Sequence, residues 1–281
     1  MINHLKTTVL MASLMGVVLL IGGVIGGKSG LTIALIIAIS MNFFSYFYSH
    51  KLVLAMYRAQ PLSKSKAPKI HQMIERISKK ANLPKPKLYL IPSEAPNAFA
   101  TGRNPKNAVV AVTNGILNLL SNEELEGVLA HEMGHVKNRD ILISTIAATL
   151  ASVITYMAFM ARFAMFFGGG RNSEGNSNIL EMILLAILAP IAAMVIQFAI
   201  SRSREFMADE ASAKFTSQPK YLISALQKIE SYSKQIPMRF GNKSTASLFI
   251  VNPFSGKRAL NFFSTHPTTE DRIKRLQSLK I

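Results

Sequence analysis

ELEGVLAHEMGHVKNRD, residues 124–140, decides how the chain is read. On a helix of 3.6 residues per turn, His131 and His135 stack four apart on one face, so both imidazoles can reach a single metal ion. Ser121 and Glu124 form an S-x-x-E capping box that starts a helix where this geometry needs one. Glu132 stands beside the pair. Zinc takes two such nitrogens at about 2.1 Å with a third protein ligand and keeps one position for a water, whose pKa falls towards ~7. H-E-x-x-H on a helix, with the Glu as general base, is the pattern of zinc-assisted peptide hydrolysis.

The rest of the chain determines where such a site would sit. Of 281 residues, 49% are hydrophobic and 17% charged, and the mean hydropathy is +0.25, which point to a membrane protein rather than a soluble one. A net charge of +17 could suggest nucleic acid. Many of the basic residues flank apolar runs, however, which fits topology signals and contact with an anionic bilayer, so no nucleic-acid partner is expected. With no cysteine there is neither a disulfide framework nor a thiolate ligand, so a metal must be held by His and carboxylate.

Residues 7–27 and 29–49 are uncharged runs of 21 residues each, separated by Lys28; each is long enough for the ~30 Å of a bilayer core. They predict an N-terminal transmembrane hairpin, 1–50. Phe43, Phe44, Tyr46, Phe47 and Tyr48 gather where an interfacial aromatic belt belongs, and His4 and His50 read as interfacial. Lys51, Arg58, Lys64, Lys66 and Lys69 follow, against the single Lys28 in the turn, so the positive-inside rule puts residues 51–140 in the cytoplasm. There Ile70, Met73, Ile74 and Ile77 mark an amphipathic helix, with His71 off the stripe in solvent. KLYLIPS and NAVVAVTNGIL read as short strands of a small sheet. Between them, Asn97, Ala98, Phe99, Ala100, Thr101 and Gly102 form either an ordinary connection, which sequence physics favours, or a free edge that pairs with an extended peptide.

A third uncharged run, 141–161, begins directly after the motif, and a fourth, 182–200 with a kink point at Pro190, completes a second hairpin, 141–200. This narrows the third metal ligand. A metzincin would place Gly and His where Asn138 and Ile141 stand, and no acid occurs from 141 to 173. Glu174 and Glu181 belong to the far side of the bilayer. Glu205 follows the fourth run and returns to the level of the histidines, with Asp209 one turn on, placed to support a ligand from behind. An acidic patch balancing Arg202 and Arg204 would leave the same residues. In the last segment, 201–281, Pro219 and Leu222, Ile223, Leu226 and Ile229 give another amphipathic helix, and His266 and Arg272 taken alone are a loop histidine and a surface charge.

Together, HEMGH, SREFMADE at 203–210, STHP at 264–267 and the paired apolar runs resemble the HtpX-type membrane metalloproteases, relatives of the CAAX prenyl endopeptidases. The resemblance spans nearly the whole chain. It places the family pattern E-x-x-x-D on Glu205 and Asp209, H-P-x-x-x-x-R on His266, Pro267 and Arg272, and N-A-F-A on Asn97, Ala98, Phe99 and Ala100. It implies that His266 stabilises the tetrahedral intermediate, that Arg272 holds the acidic ligand, and that residues 97–100 line the substrate groove. It also implies quality control of damaged membrane proteins. The expectation is a mainly α protein with four transmembrane helices and a cytoplasmic α+β zincin-like domain split around the second hairpin. That domain would carry one zinc on His131, His135 and Glu205 at the cytoplasmic face of the inner membrane and act on polypeptides. Two alternatives stay open: a membrane chaperone or scaffold with a structural zinc, and an endopeptidase for lipidated peptides. Glu132 speaks against the first, since a closed structural site has no use for a base.

Overall fold

The computed structural model describes residues 2–151, 202–233, 235–236, 238, 243–251 and 267–279. Helix α1, Ile2–Met56, is broken at Gly27, whose φ of 55° and ψ of −136° suit a residue without Cβ. The chain reverses there, and Asn42 Nδ2 reaches the Met11 carbonyl at 3.4 Å across the resulting hairpin. Among the described residues, Gly26–Met56 is the helix long and apolar enough to cross a membrane. It runs seven residues beyond the expected end at 49, because nothing in SHKLVLAM breaks a helix. Of the expected second hairpin, the described part is the apolar helix α5, Ile141–Ala151; the remainder of the third run, the fourth run, Glu174 and Glu181 lie outside the described residues.

The sheet has the order β1-β2-β4-β3, formed by Gln60–Pro61, Lys87–Ile91, Val109–Thr113 and Ala98–Thr101 in that spatial order. Strands β2 and β4 are parallel, and β1 and β3 pair antiparallel at the two sides. So Ala98, Phe99 and Ala100 of the N-A-F-A stretch lie in an outer strand rather than a plain connection, with Asn97 just before it. Strand β4 stops at Thr113, whose side chain accepts from Ile116 N and caps helix α3, Asn114–Leu119; NGIL is therefore helical. Helix α2, Pro68–Ala81, starts at a proline and buries Ile70, Met73, Ile74 and Ile77, as its spacing predicts. His71 is half-buried rather than solvated, with its Nε2 2.8 Å from the Leu62 carbonyl.

Helix α4, Asn122–Asn138, carries the motif. Its capping box is complete: Ser121 accepts from Glu124 N, and the Glu124 carboxylate accepts from Ser121 N at 2.9 Å. The same carboxylate accepts from Ser224 at 2.6 Å and Lys228 at 2.8 Å on helix α7, Pro219–Ser233. One side chain thus starts the motif helix and anchors a neighbour. Residues before 141 and after 201 share a core, with Leu125, Val128, Leu129 and Met133 meeting Ala213, Leu222, Leu226 and Leu276.

Helix α6, Arg202–Thr216, packs along α4. Gly134 permits the approach: a Cβ there would lie 2.9 Å from Ala208 Cα and 3.0 Å from Ala208 O. Backbone cannot yield as a flexible side-chain end can, so Gly134→Ala must push α6 outward, at a cost of about 1–3 kcal/mol. Because α6 carries Glu205, the expected result is metal binding weakened by at least about tenfold in a folded protein. Chelator competition with a thermal melt checks this; unchanged metal affinity would contradict it.

Candidate metal centre

His131 and His135 turn their Nε2 atoms towards each other at 3.1 Å. Glu205 faces both, Oε2 lying 3.7 Å from His131 Nε2 and Oε1 3.6 Å from His135 Nε2. All three donor atoms fall within 4.8 Å of one another. The outer nitrogens are already committed. His131 Nδ1 is 2.9 Å from Asp209 Oδ1, and His135 Nδ1 is 3.1 Å from Asp140 Oδ2. With each Nδ1–H donating to a carboxylate, both Nε2 lone pairs are left pointing at one spot beside a third carboxylate. Two imidazoles and one carboxylate, without thiolate, form a donor set that suits zinc and leaves room for a further ligand.

Asp140 is the residue that sequence reasoning missed. It lies five positions beyond His135, off any helical face. It reaches His135 because Arg139 takes a left-handed conformation (φ 57°) as α4 ends, which folds the next residue back. The signal was an acid directly after a helix end that carries metal-ligating residues.

Arg272, on helix α8 (Thr269–Gln277), is 2% exposed. Its Nε and Nη2 donate to Asp209 at 2.9 and 2.6 Å, and Nη1 donates to the Ile250 carbonyl at 2.9 Å. Its distance to Glu205 is 3.9 Å. The firm pairing is thus with Asp209, the carboxylate behind His131. His266 lies outside the described residues.

Glu132, 1% exposed, stands beside the histidines, and its carboxylate accepts a backbone hydrogen bond from Ala100 of β3. Burial, reinforced by the charge of Glu205, pushes its pKa up to about 7. Burial likewise drives His131 down to about 4, aided by the charge of Arg272. For His135 burial acts downward too, but the charges of Asp140 and Glu205 outweigh it and push the ring up to about 10. Burial alone would raise Asp209, yet the Arg272 guanidinium and the His131 bond hold it below the usual carboxylate range.

These shifts predict a proton count. Without a metal, His135 carries a proton below pH 10 that His131 lacks above pH 4. Zinc must displace it, so uptake at pH 8 should release about one proton, and affinity should strengthen with rising pH. Calorimetry in two buffers of different ionisation enthalpy reads this directly; buffer-independent heat would contradict it.

The outer strand β3 passes the site. Its four residues are buried, and Phe99 packs at 5.9 Å from Tyr57 and 5.2 Å from Phe249 between ring centres. Asn97 Nδ2 donates to the Val251 carbonyl at 2.6 Å, and Ile250 N donates to the Ala98 carbonyl at 3.3 Å. Residues 249–251 therefore lie along the outward edge of β3.

An H-E-x-x-H helix facing a carboxylate on a second helix, each histidine braced by an acid, has the form of a metallopeptidase centre. The chain belongs to peptidase family M48, whose family model matches residues 64–280. It is 54% identical over 280 residues to a Protease HtpX homolog of Syntrophobacter fumaroxidans, covering 99% of both chains. It is 50% identical over 274 residues to a Protease HtpX homolog of Pyrococcus furiosus, covering 98% of this chain and 95% of that one. The crystal structure of Ste24p from S. mikatae shares the fold, with a TM-score of 0.53 and 19% identity; the match covers 98% of this chain and 65% of that one. The protein is thus a metalloprotease of membrane character, mainly helical with a small mixed sheet.

Proposed function

We propose that the chain is an integral membrane zinc endopeptidase with one zinc per chain on His131, His135 and Glu205. The observation that carries this reading is the pair of Nε2 atoms 3.1 Å apart, both outer nitrogens tied to carboxylates. Zinc bound there would supply a Lewis acid that polarises the scissile carbonyl and lowers the pKa of a water towards ~7. Glu132 accepts the proton of the attacking water and passes it to the leaving amide nitrogen. A base near pKa 7 suits this task at neutral pH. The Ala100 N–H fixes the direction of the Glu132 carboxylate. Asp209 and Asp140 hold the histidine rings in the tautomer that presents Nε2, and Arg272 neutralises Asp209. By the resemblance, His266 stabilises the tetrahedral intermediate.

An extended substrate would pair with the backbone of Asn97, Ala98, Phe99 and Ala100. Because residues 249–251 lie on that edge, they would shift when a peptide enters. The four apolar runs form two membrane hairpins, 1–50 and 141–200. Residues 51–140 and 201–281 build a cytoplasmic zincin-like domain at the inner membrane. Unfolded or damaged membrane proteins are the expected substrates, in keeping with a quality-control role. The detergent-purified protein should cleave an unfolded soluble polypeptide and a non-prenylated peptide. Cleavage confined to prenylated peptides would favour the lipidated-substrate reading, and folded, zinc-loaded protein without any cleavage would favour a scaffold.

A further inference from the structure

At the foot of the apolar hairpin lies a cleft of about 520 Å³ that the peptidase chemistry does not use. Arg103 and Lys106 reach it from the loop after β3, and Lys137 and Arg139 from the end of α4, while Thr7 and Leu142 form its apolar-side wall. No carboxylate lines it. Among the described residues, none of the four cations forms an ion pair with a carboxylate. Lys137 lies over the Phe215 ring at 5.1 Å, a contact that leaves its charge without a counter-ion. Four like charges without a counter-charge around one cleft concentrate positive potential there, which favours an anion among them.

The position of the cleft indicates which anion. Thr7 opens the first uncharged run, and Leu142 is the second residue of the apolar helix α5. Arg103 lies over the ring of Phe47 at 5.2 Å, and Phe47 belongs to an exposed aromatic group with Phe43, Phe44 and Tyr48. Such a group marks the headgroup layer. Three boundaries between apolar and polar chain therefore meet at one basic cleft. Beside it, Leu5 and Val9 are 66% and 44% exposed on the hairpin, an apolar surface along which acyl chains can lie.

We propose that this cleft binds the phosphodiester headgroup of an anionic phospholipid, seating the peptidase domain at a fixed height on the bilayer. The proposal rests on the membrane reading above. The rival use of the same cations is as topology signals alone, which needs no bound lipid.

The test titrates phosphatidylglycerol or phosphatidylcholine into delipidated full-length protein in detergent and reads retained lipid by native mass spectrometry. Each cation near an anionic headgroup is worth roughly a factor of five. Arg103→Gln with Lys106→Gln and Arg139→Asn, the asparagine chosen for the left-handed backbone there, should weaken phosphatidylglycerol binding about a hundredfold and leave phosphatidylcholine unchanged. Arg103→Gln with Lys106→Gln, which leaves α4 intact, should cost about twenty-five-fold with wild-type zinc content. Equal phosphatidylglycerol retention by wild type and both variants overturns the proposal. Displacement of the lipid by millimolar inorganic phosphate would assign the cleft to free phosphate instead. A wild-type protein that stays soluble without detergent would overturn the membrane reading, and this site with it.

Discussion

Glu132→Gln is expected to lower peptide hydrolysis by roughly 10²- to 10⁴-fold while zinc content stays near that of the wild type. Glutamine keeps the size of the side chain and can still accept from the Ala100 N–H, so the bracing of β3 against α4 survives. It loses the capacity to take a proton. It also removes a buried carboxylate whose burial already favours the uncharged form, so the variant should be at least as stable as its parent at neutral pH. Loss of zinc together with activity would place Glu132 among the ligands and contradict its assignment as base. Substantial remaining activity would contradict it from the other side.

Glu205→Gln should purify largely free of zinc. A neutral amide is a weak ligand, and the two histidines alone leave the ion with two protein donors. Asp209→Asn removes support from behind His131 and should cost roughly 10- to 100-fold in zinc affinity. It also strips the buried Arg272 of its charged partner, so a stability loss of about 3–5 kcal/mol accompanies it. Asp140→Asn leaves the Arg272 pair intact and should fall in the same affinity range, with a smaller stability loss because the Asp140 charge also favours the buried Arg204 guanidinium. The contrast between Asp140 and Asp209 separates support of a ligand from the direct pairing with Arg272. Metal analysis of folded protein decides each case; full zinc occupancy in Glu205→Gln would show that another group closes the site.

What could be read in advance follows the range of the interactions. The motif helix was legible because its signals are local: the Ser121 and Glu124 box and the i, i+4 histidines. Glu205 was legible through chain topology, since acids are absent from 141 to 173, and the side chain does face both histidines. Asp140 was not, because its role depends on one left-handed residue, Arg139, that periodicity does not register. The pairing of Arg272 with Asp209 joins positions 63 apart. Burial of a guanidinium is decided by where α8 docks, which no local pattern states. The two-residue strand Gln60–Pro61 and the lie of residues 249–251 along β3 were equally hidden, as each is set by a neighbour distant in the chain.

The central claim is that one zinc, held by His131, His135 and Glu205, turns this chain into a peptidase. Stripping the metal from detergent-purified protein and restoring it in steps, with cleavage of an unfolded polypeptide followed at each step, tests it most directly. Hydrolysis should vanish in the stripped protein and rise in proportion to zinc until about one ion per chain is bound. Hydrolysis that persists in the fully stripped protein would contradict the claim.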